Sequence, residues 1–134
     1  MERIARLAAA TFVVVGGLIH LDLWQGGYRG IRYIGPWFIV NVAVSALLAV
    51  ALVVRGGTRV AVAGIAFSAA SLVALVLSRT VGLFGFLEST WTNAAVQATS
   101  AEIGAMVAAA AVIAVTHRPA LRRVPIPVSH AGAQ

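Results

Sequence analysis

Glu102 is the residue whose surroundings most need a chemical explanation. It lies in the run "TNAAVQATSAEIGAMVAAAAVIAVT". It follows Trp91 by about ten residues, or roughly 15 Å at ~1.5 Å of rise per residue. If the run crosses a bilayer, that depth is near the midplane. An ionised carboxylate there needs a partner, and without one it holds a proton instead. The functional reading is a carboxylate that carries a proton or binds a cation. The structural reading is a glutamate protonated or paired with an arginine or amide of the bundle.

The other polar groups that fall in or beside apolar runs are few: His20, Asp22, Asn41, Arg79, Glu88, Asn93 and Gln97. Imidazole is a good axial haem ligand, and Gly16 and Gly17 precede His20 by one turn, leaving room for a flat ligand or a neighbouring helix. His117 and His130 lie at the far end and in the tail, so bis-histidine ligation would need two subunits. A metal site built from His20 or Asp22 with Glu88 and Glu102 would offer the donors that zinc, iron or manganese accept. Residues i and i+2 point to opposite sides of a helix, so His20 and Asp22 could chelate together only if the helix has already ended. The spacing enforces neither haem nor metal, and the cofactor stays open.

The stretch "LSRTVGLFGFLESTW", 77–91, concentrates arginine, glutamate, tryptophan, phenylalanine and glycine between two apolar runs. Arg79 would complement a helix C-terminus, and Glu88 precedes a helix N-terminus, where a negative charge is favourable. Thr92 or Asn93 could cap that helix. Capping leaves the two aromatic residues around a glycine unexplained. An Arg79–Glu88 ion pair locking a short re-entrant elbow, 79–91, accounts for more of the stretch. Such an elbow survives at membrane depth only where protein buries it or it lines a cavity. That would bring it over the same end as His20, Asp22, Tyr28 and Asn41.

No nucleophilic triad, phosphate loop or zinc-protease motif accompanies these groups. Cysteine is absent, which excludes disulfides, thiolate metal sites, iron–sulfur clusters and cysteine nucleophiles. Whether the chain is an enzyme is left undecided.

The elements that must position these residues follow from composition. Of the 134 residues, 60% are hydrophobic and 10% charged, and the mean hydropathy is +0.95. A soluble domain carries about 25% charged residues because its surface faces water. This chain belongs in a bilayer. Four apolar runs approach the ~20 residues that a helical span needs: about 4–24, 37–54, 60–78 and 92–116. None alternates polar and apolar residues as barrel strands do. The fold expected is all-α, a four-helix transmembrane bundle over 1–117, followed by a basic, flexible tail, 118–134.

The first run has Arg3 and Arg6 ahead of an apolar core, as a signal peptide does, but it is too long and no A-x-A-like site follows. Four spans place both termini on one side, with Arg3, Arg6, Arg55, Arg59, Arg118, Arg122 and Arg123. Arg29, Arg32 and Arg79 lie on the other. The positive-inside rule makes the first side cytoplasmic and the compartment the cell (inner) membrane. Trp24, Trp37 and Trp91 would anchor the outward ends at headgroup level. The net charge of +6 is all arginine, set singly or in pairs beside apolar runs. Anionic headgroups explain it better than nucleic acid, which is not an expected partner.

On the last span Asn93, Gln97, Ser100 and Gly104 share one face, and Glu102 points nearly opposite with Ala95, Ala98 and Ala109. One face could line the bundle while the other meets a second subunit, so a homo-oligomer is expected. "LDLW" at 21–24 and "LESTW" at 87–91 echo each other at matching ends of the two halves, with too few matches to establish a duplication.

"SRTVGLFGFLESTW", followed by a single glutamate in the last span, resembles small four-helix integral membrane proteins of actinobacteria, mostly of uncharacterised function. The likeness extends to "GLIHLDL", "YRGIRYIG" and the asparagine of "WFIVN", and covers most of 16–102. The family often carries proline where this chain has Phe84. The resemblance implies a membrane fold and groups Arg79, Glu88, Trp91, His20, Asn41 and Glu102 into one motif set. It implies no activity.

The leading expectation is a small membrane binding or transport protein. An outward-facing polar pocket would be roofed by the elbow, lined by His20, Asn41 and Asp22, and lead to a proton- or cation-exchanging Glu102. One alternative is a structural accessory subunit of a larger membrane complex; another is a haem- or metal-dependent redox protein.

Overall fold

A computed structural model describes residues 1–118. The tail expected over 118–134 lies, beyond Arg118, outside the described residues. The described chain is four helices: α1 (Glu2–Gln25), α2 (Ile34–Val54), α3 (Thr58–Thr80) and α4 (Asn93–Thr116), with a 3-10 turn at Tyr28–Gly30 between the first two. All four are long and apolar enough to cross a membrane. The first three overrun their apolar runs by up to three residues at one or both ends, because helical hydrogen bonding continues through flanks that hydropathy does not count, and α4 matches its run to within one residue. Pro36 sits in the first turn of α2, where its missing N–H would have had no partner in the helix. Thr92 caps α4, its side chain accepting from Ala95 N at 3.2 Å.

The packing is an open ring. α1 lies against both α2 and α4, and α4 against α3, whereas α2 and α3 touch sparsely. The core is made of small side chains: Ala9, Ala10 and Val13 of α1 meet Ala105, Ala108, Ala109 and Val112 of α4, with Ala49, Leu52 and Ala61 alongside. Small residues let backbones approach closely, which is how helices associate where lipid removes the hydrophobic incentive. Gly17 shows how tight this is. A Cβ added there would stand 2.8 Å from Ser45 Cβ on α2.

α2 and α3 are joined at one end by the short turn of Arg55, Gly56 and Gly57. Arg6 reaches across from α1 to this end, donating from Nε to the Leu52 carbonyl (2.7 Å) and from Nη2 to that of Val53 (2.5 Å). A cation on the last carbonyls of a helix opposes its negative pole. Thr58 and His117 add a 2.9 Å side-chain bond at the same end. The elbow occupies the opposite end of the bundle.

Candidate functional site

The elbow folds because of its glycines. Leu83 and Phe86 exchange two backbone hydrogen bonds of 2.8 and 2.9 Å. The two residues between them, Phe84 and Gly85, have φ of 51° and 82°. Positive φ at both central positions is the pattern of the tight hairpin turn of type I′, which glycine adopts without strain and phenylalanine does not. Glu88 N then donates to Ser78 O at 2.9 Å, tying the returning chain to the end of α3.

That return brings Arg79 and Glu88 together. Arg79 Nη2 is 3.4 Å from Glu88 Oε2, and Nη1 donates to the Glu88 carbonyl at 3.2 Å. The guanidinium lies 5.4 Å from the Trp91 ring centre, close enough for cation–π attraction. Glu88 Oε2 also accepts from the Tyr28 hydroxyl at 2.9 Å. Burial first, then the Glu88 hydrogen bond and charge, push the Tyr28 phenol above its ordinary 10.0, with Arg79 pulling the other way.

Below the elbow lies a cavity of about 480 Å³. Its wall combines Phe38 and Asn41 of α2, Phe67 and Ser71 of α3, His20 of α1, and Arg79 and Glu88 at the roof. Aromatic rings descend one side in sequence: Phe86 to Tyr28 (5.9 Å between centroids), Tyr28 stacked on Phe38 (5.3 Å), and Phe38 edge-on to His20 (5.2 Å). The lining is mostly apolar with a few polar groups at fixed places, the usual make-up of a small-molecule site. The cavity reaches the gap between α2 and α3. Trp37 and Val40 line it and are still 56% and 45% exposed.

The floor is polar. Ser45 donates to Asn41 Oδ1 (3.3 Å), and Asn41 Nδ2 donates to Ser71 Oγ (3.0 Å), bonding α2 to α3 across their sparse contact. The Ser68 and Ser71 hydroxyls face the Glu102 carboxylate. Ser71, which accepts from Asn41, keeps its own proton to give. Ser68 Oγ is buried and makes no hydrogen bond of ordinary geometry. Glu102 is 5% exposed, and neither ion pair among the described residues involves it. Gly16 leaves it room: a Cβ added there would lie 3.6 Å from Glu102 Oε1.

Between cavity and carboxylate is a void of about 20 Å³, bounded by His20, Ser71, Leu75, Ala98, Thr99 and Glu102. That is room for one water molecule. His20, Ser71, Leu75 and Ala98 wall both spaces. His20 Nδ1 is 2.8 Å from the Gly16 carbonyl, which can only accept, so Nδ1 carries the proton and a neutral ring keeps Nε2 as an acceptor.

The structure thus gathers His20, Asn41, Arg79 and Glu88 around one cavity, with Glu102 one void further in. Asp22 does not join them. α1 continues to Gln25, so Asp22 points away from His20 and is exposed. His20 and Asp22 therefore cannot chelate as a pair. Among the described residues no three of His, Cys, Asp and Glu cluster tightly enough to hold a metal ion. Trp37 and Trp91 are exposed at the elbow end, and Trp24 is half-buried. Sequence reasoning missed Ser68, Ser71 and Phe38. Ser68 and Ser71 share a helix face three residues apart, a signal that was present but common to many helices.

Fold and site together give four helices, each long and apolar enough to cross a membrane, around a cavity. No family model, no curated protein and no solved structure matches the chain.

Proposed function

We propose that this is a small membrane binding protein that takes a largely apolar ligand into the cavity beneath the elbow and exchanges a proton at Glu102. The observation that carries the reading is the shared wall of His20, Ser71, Leu75 and Ala98, with a water-sized void joining ligand space to the buried carboxylate. One water there could bridge the Ser71 hydroxyl or His20 Nε2 to Glu102, making the last step of a proton path. Intramembrane carboxylates facing a bundle interior commonly serve proton relays.

In the same reading the arginine asymmetry sets the termini in the cytoplasm and the elbow outside, in the cell membrane. Asn93, Gln97 and Ser100 are exposed on α4, and a second copy of the chain packed there would shield them from lipid.

Infrared spectroscopy of reconstituted protein tests the central claim. A carboxyl C=O band lost in Glu102→Gln should shift in heavy water and titrate with bath pH. A Glu102 band that responds to neither would end the proton-exchange reading.

A further inference from the structure

Arg79 is not satisfied by what surrounds it. Its side chain is 7% exposed, and its Nε–H is buried with no hydrogen-bond partner among the described residues. A guanidinium carries five N–H donors, and the bonds to Glu88 and its carbonyl, 3.4 and 3.2 Å, are long beside the ~2.7–2.9 Å of a strong charge-assisted bond. Glu88 meanwhile takes its shorter bond, 2.9 Å, from Tyr28. The side chain that carries this donor lines the roof of the cavity, and no described residue supplies the donor with an acceptor. An orphaned buried donor of this kind is costly to retain without a ligand.

The walls between this roof and the polar floor call for the opposite chemistry. Below Arg79 the walls include Phe67, Ala70, Ala74, Val44 and Leu83, all apolar. The route in runs between α2 and α3, whose exposed flanks, Trp37 and Val40, face lipid if the helices span a bilayer. At about 480 Å³ the space is in the lower half of the ~300–1,000 Å³ that ligand pockets occupy, enough for one chain and not for the two of a diacyl lipid.

We infer that the cavity takes a single-chain anionic amphiphile from the surrounding bilayer, its head at the Arg79 guanidinium and its tail against the α2–α3 walls. The inference rests on the cavity being a ligand site, and adds the ligand's class and route. A carboxylate or phosphate head accepts two parallel N–H bonds from a guanidinium edge, which a cationic or ester head cannot do. Glu88, held by Tyr28, stands at the same guanidinium.

The test uses the full chain in phosphatidylcholine nanodiscs, with a fluorescent polyene fatty acid and its methyl ester as probes, read by energy transfer from tryptophan. The acid should bind saturably and at least about tenfold more tightly than the ester, the scale of a charge-assisted hydrogen bond. Arg79→Gln should bring the acid down to the ester. Arg79→Lys, which keeps the charge and loses the fork, should fall between them. Glu88→Gln, which removes the competing anion, should leave acid binding as tight or tighter. Val40→Trp, which closes the gap, should weaken both probes.

Equal binding of acid and ester, lost in Val40→Trp, would overturn the anionic head while keeping the cavity as a ligand site. Displacement of the acid by acetate would overturn the bilayer source in favour of a free anion. Saturable binding of neither probe would overturn the inference entirely. The wild-type comparison of acid with ester needs no variant to fold. The Glu102 carboxyl band, read in the same discs, reports separately on the broader reading.

Discussion

The Tyr28 hydroxyl donates to Glu88 Oε2 at 2.9 Å and so joins the first loop to the elbow, 60 residues further along the chain. The bond has a signature in pH. The folded Tyr28 phenol titrates above its ordinary 10.0, so the folded state holds that proton more tightly than the unfolded chain does. The resulting stability is fully present below pH 10.0 and is lost as pH rises through the raised folded value. Phenolate absorbance, taken as wild type minus Tyr28→Phe, should show a midpoint above 10.0. A midpoint at or below it would contradict the arrangement.

Gly16 and Gly17 are adjacent and should respond differently to the same substitution. Gly17→Ala puts its methyl 2.8 Å from Ser45 Cβ, whereas Gly16→Ala puts its methyl 3.6 Å from Glu102 Oε1, an ordinary contact. Overpacking costs ~1–3 kcal/mol, so Gly17→Ala should lose about that much in reversible unfolding. Gly16→Ala should stay within about 1 kcal/mol of wild type, since alanine favours the helix. Equal effects would mean that α1 and α2 are not in this close contact.

Asn41→Leu removes the bond to Ser71. Interhelical hydrogen bonds in membranes average only ~0.6 kcal/mol, so the loss of stability should be small, about 0.5–1.5 kcal/mol. The larger effect should be on access to the cavity. The chain has no cysteine, so Ala74→Cys gives a single thiol on the cavity wall. Its reaction with a membrane-permeant maleimide should speed up when Asn41→Leu is added. An unchanged rate would show that the bond does not hold α2 to α3.

Phe84 carries backbone strain that glycine would relieve. Its φ of 51° costs an L-residue roughly 1–2 kcal/mol, so Phe84→Gly should be neutral or stabilising in thermal unfolding, offset by whatever its ring contributes near Tyr33, 5.8 Å away. Phe84→Pro should destabilise the elbow, because proline fixes φ at about −65°.

The spans were legible because bilayer crossing demands long apolar runs, and the four helices coincide with the runs read from hydropathy to within about three residues. The elbow was legible in outline: Gly82 and Gly85 mark the turn, and both have positive φ. A pocket under the elbow beside His20 and Asn41 was expected, but its mostly apolar lining and its opening between α2 and α3 were not legible. The opening exists because α1 packs against α2 and α4 while α2 and α3 stand apart, and hydropathy does not record the order of helices around a ring. Ser71 gave no signal of its own, because a serine in a helix can usually bond its own backbone, as Ser100 does to Val96 O at 2.9 Å. Asp22 was misplaced for the opposite reason. It was set in the pocket because it lies at the same end as His20, and α1 runs on to Gln25 and turns it outward.

α2 and α3 are fastened at one end, by a turn of three residues with Arg6 bonded to the last carbonyls of α2 beside it. Their contacts along the rest of their length are few. Any motion that parts them is therefore angular, and if the helices span a bilayer it widens the protein's cross-section in the leaflet that holds the elbow and hardly at all in the other. Lateral pressure in that one leaflet works directly against the opening. Lipids that crowd the acyl region there should hold the cavity shut, and thinning or tension should open it, with no change in the opposite leaflet needed.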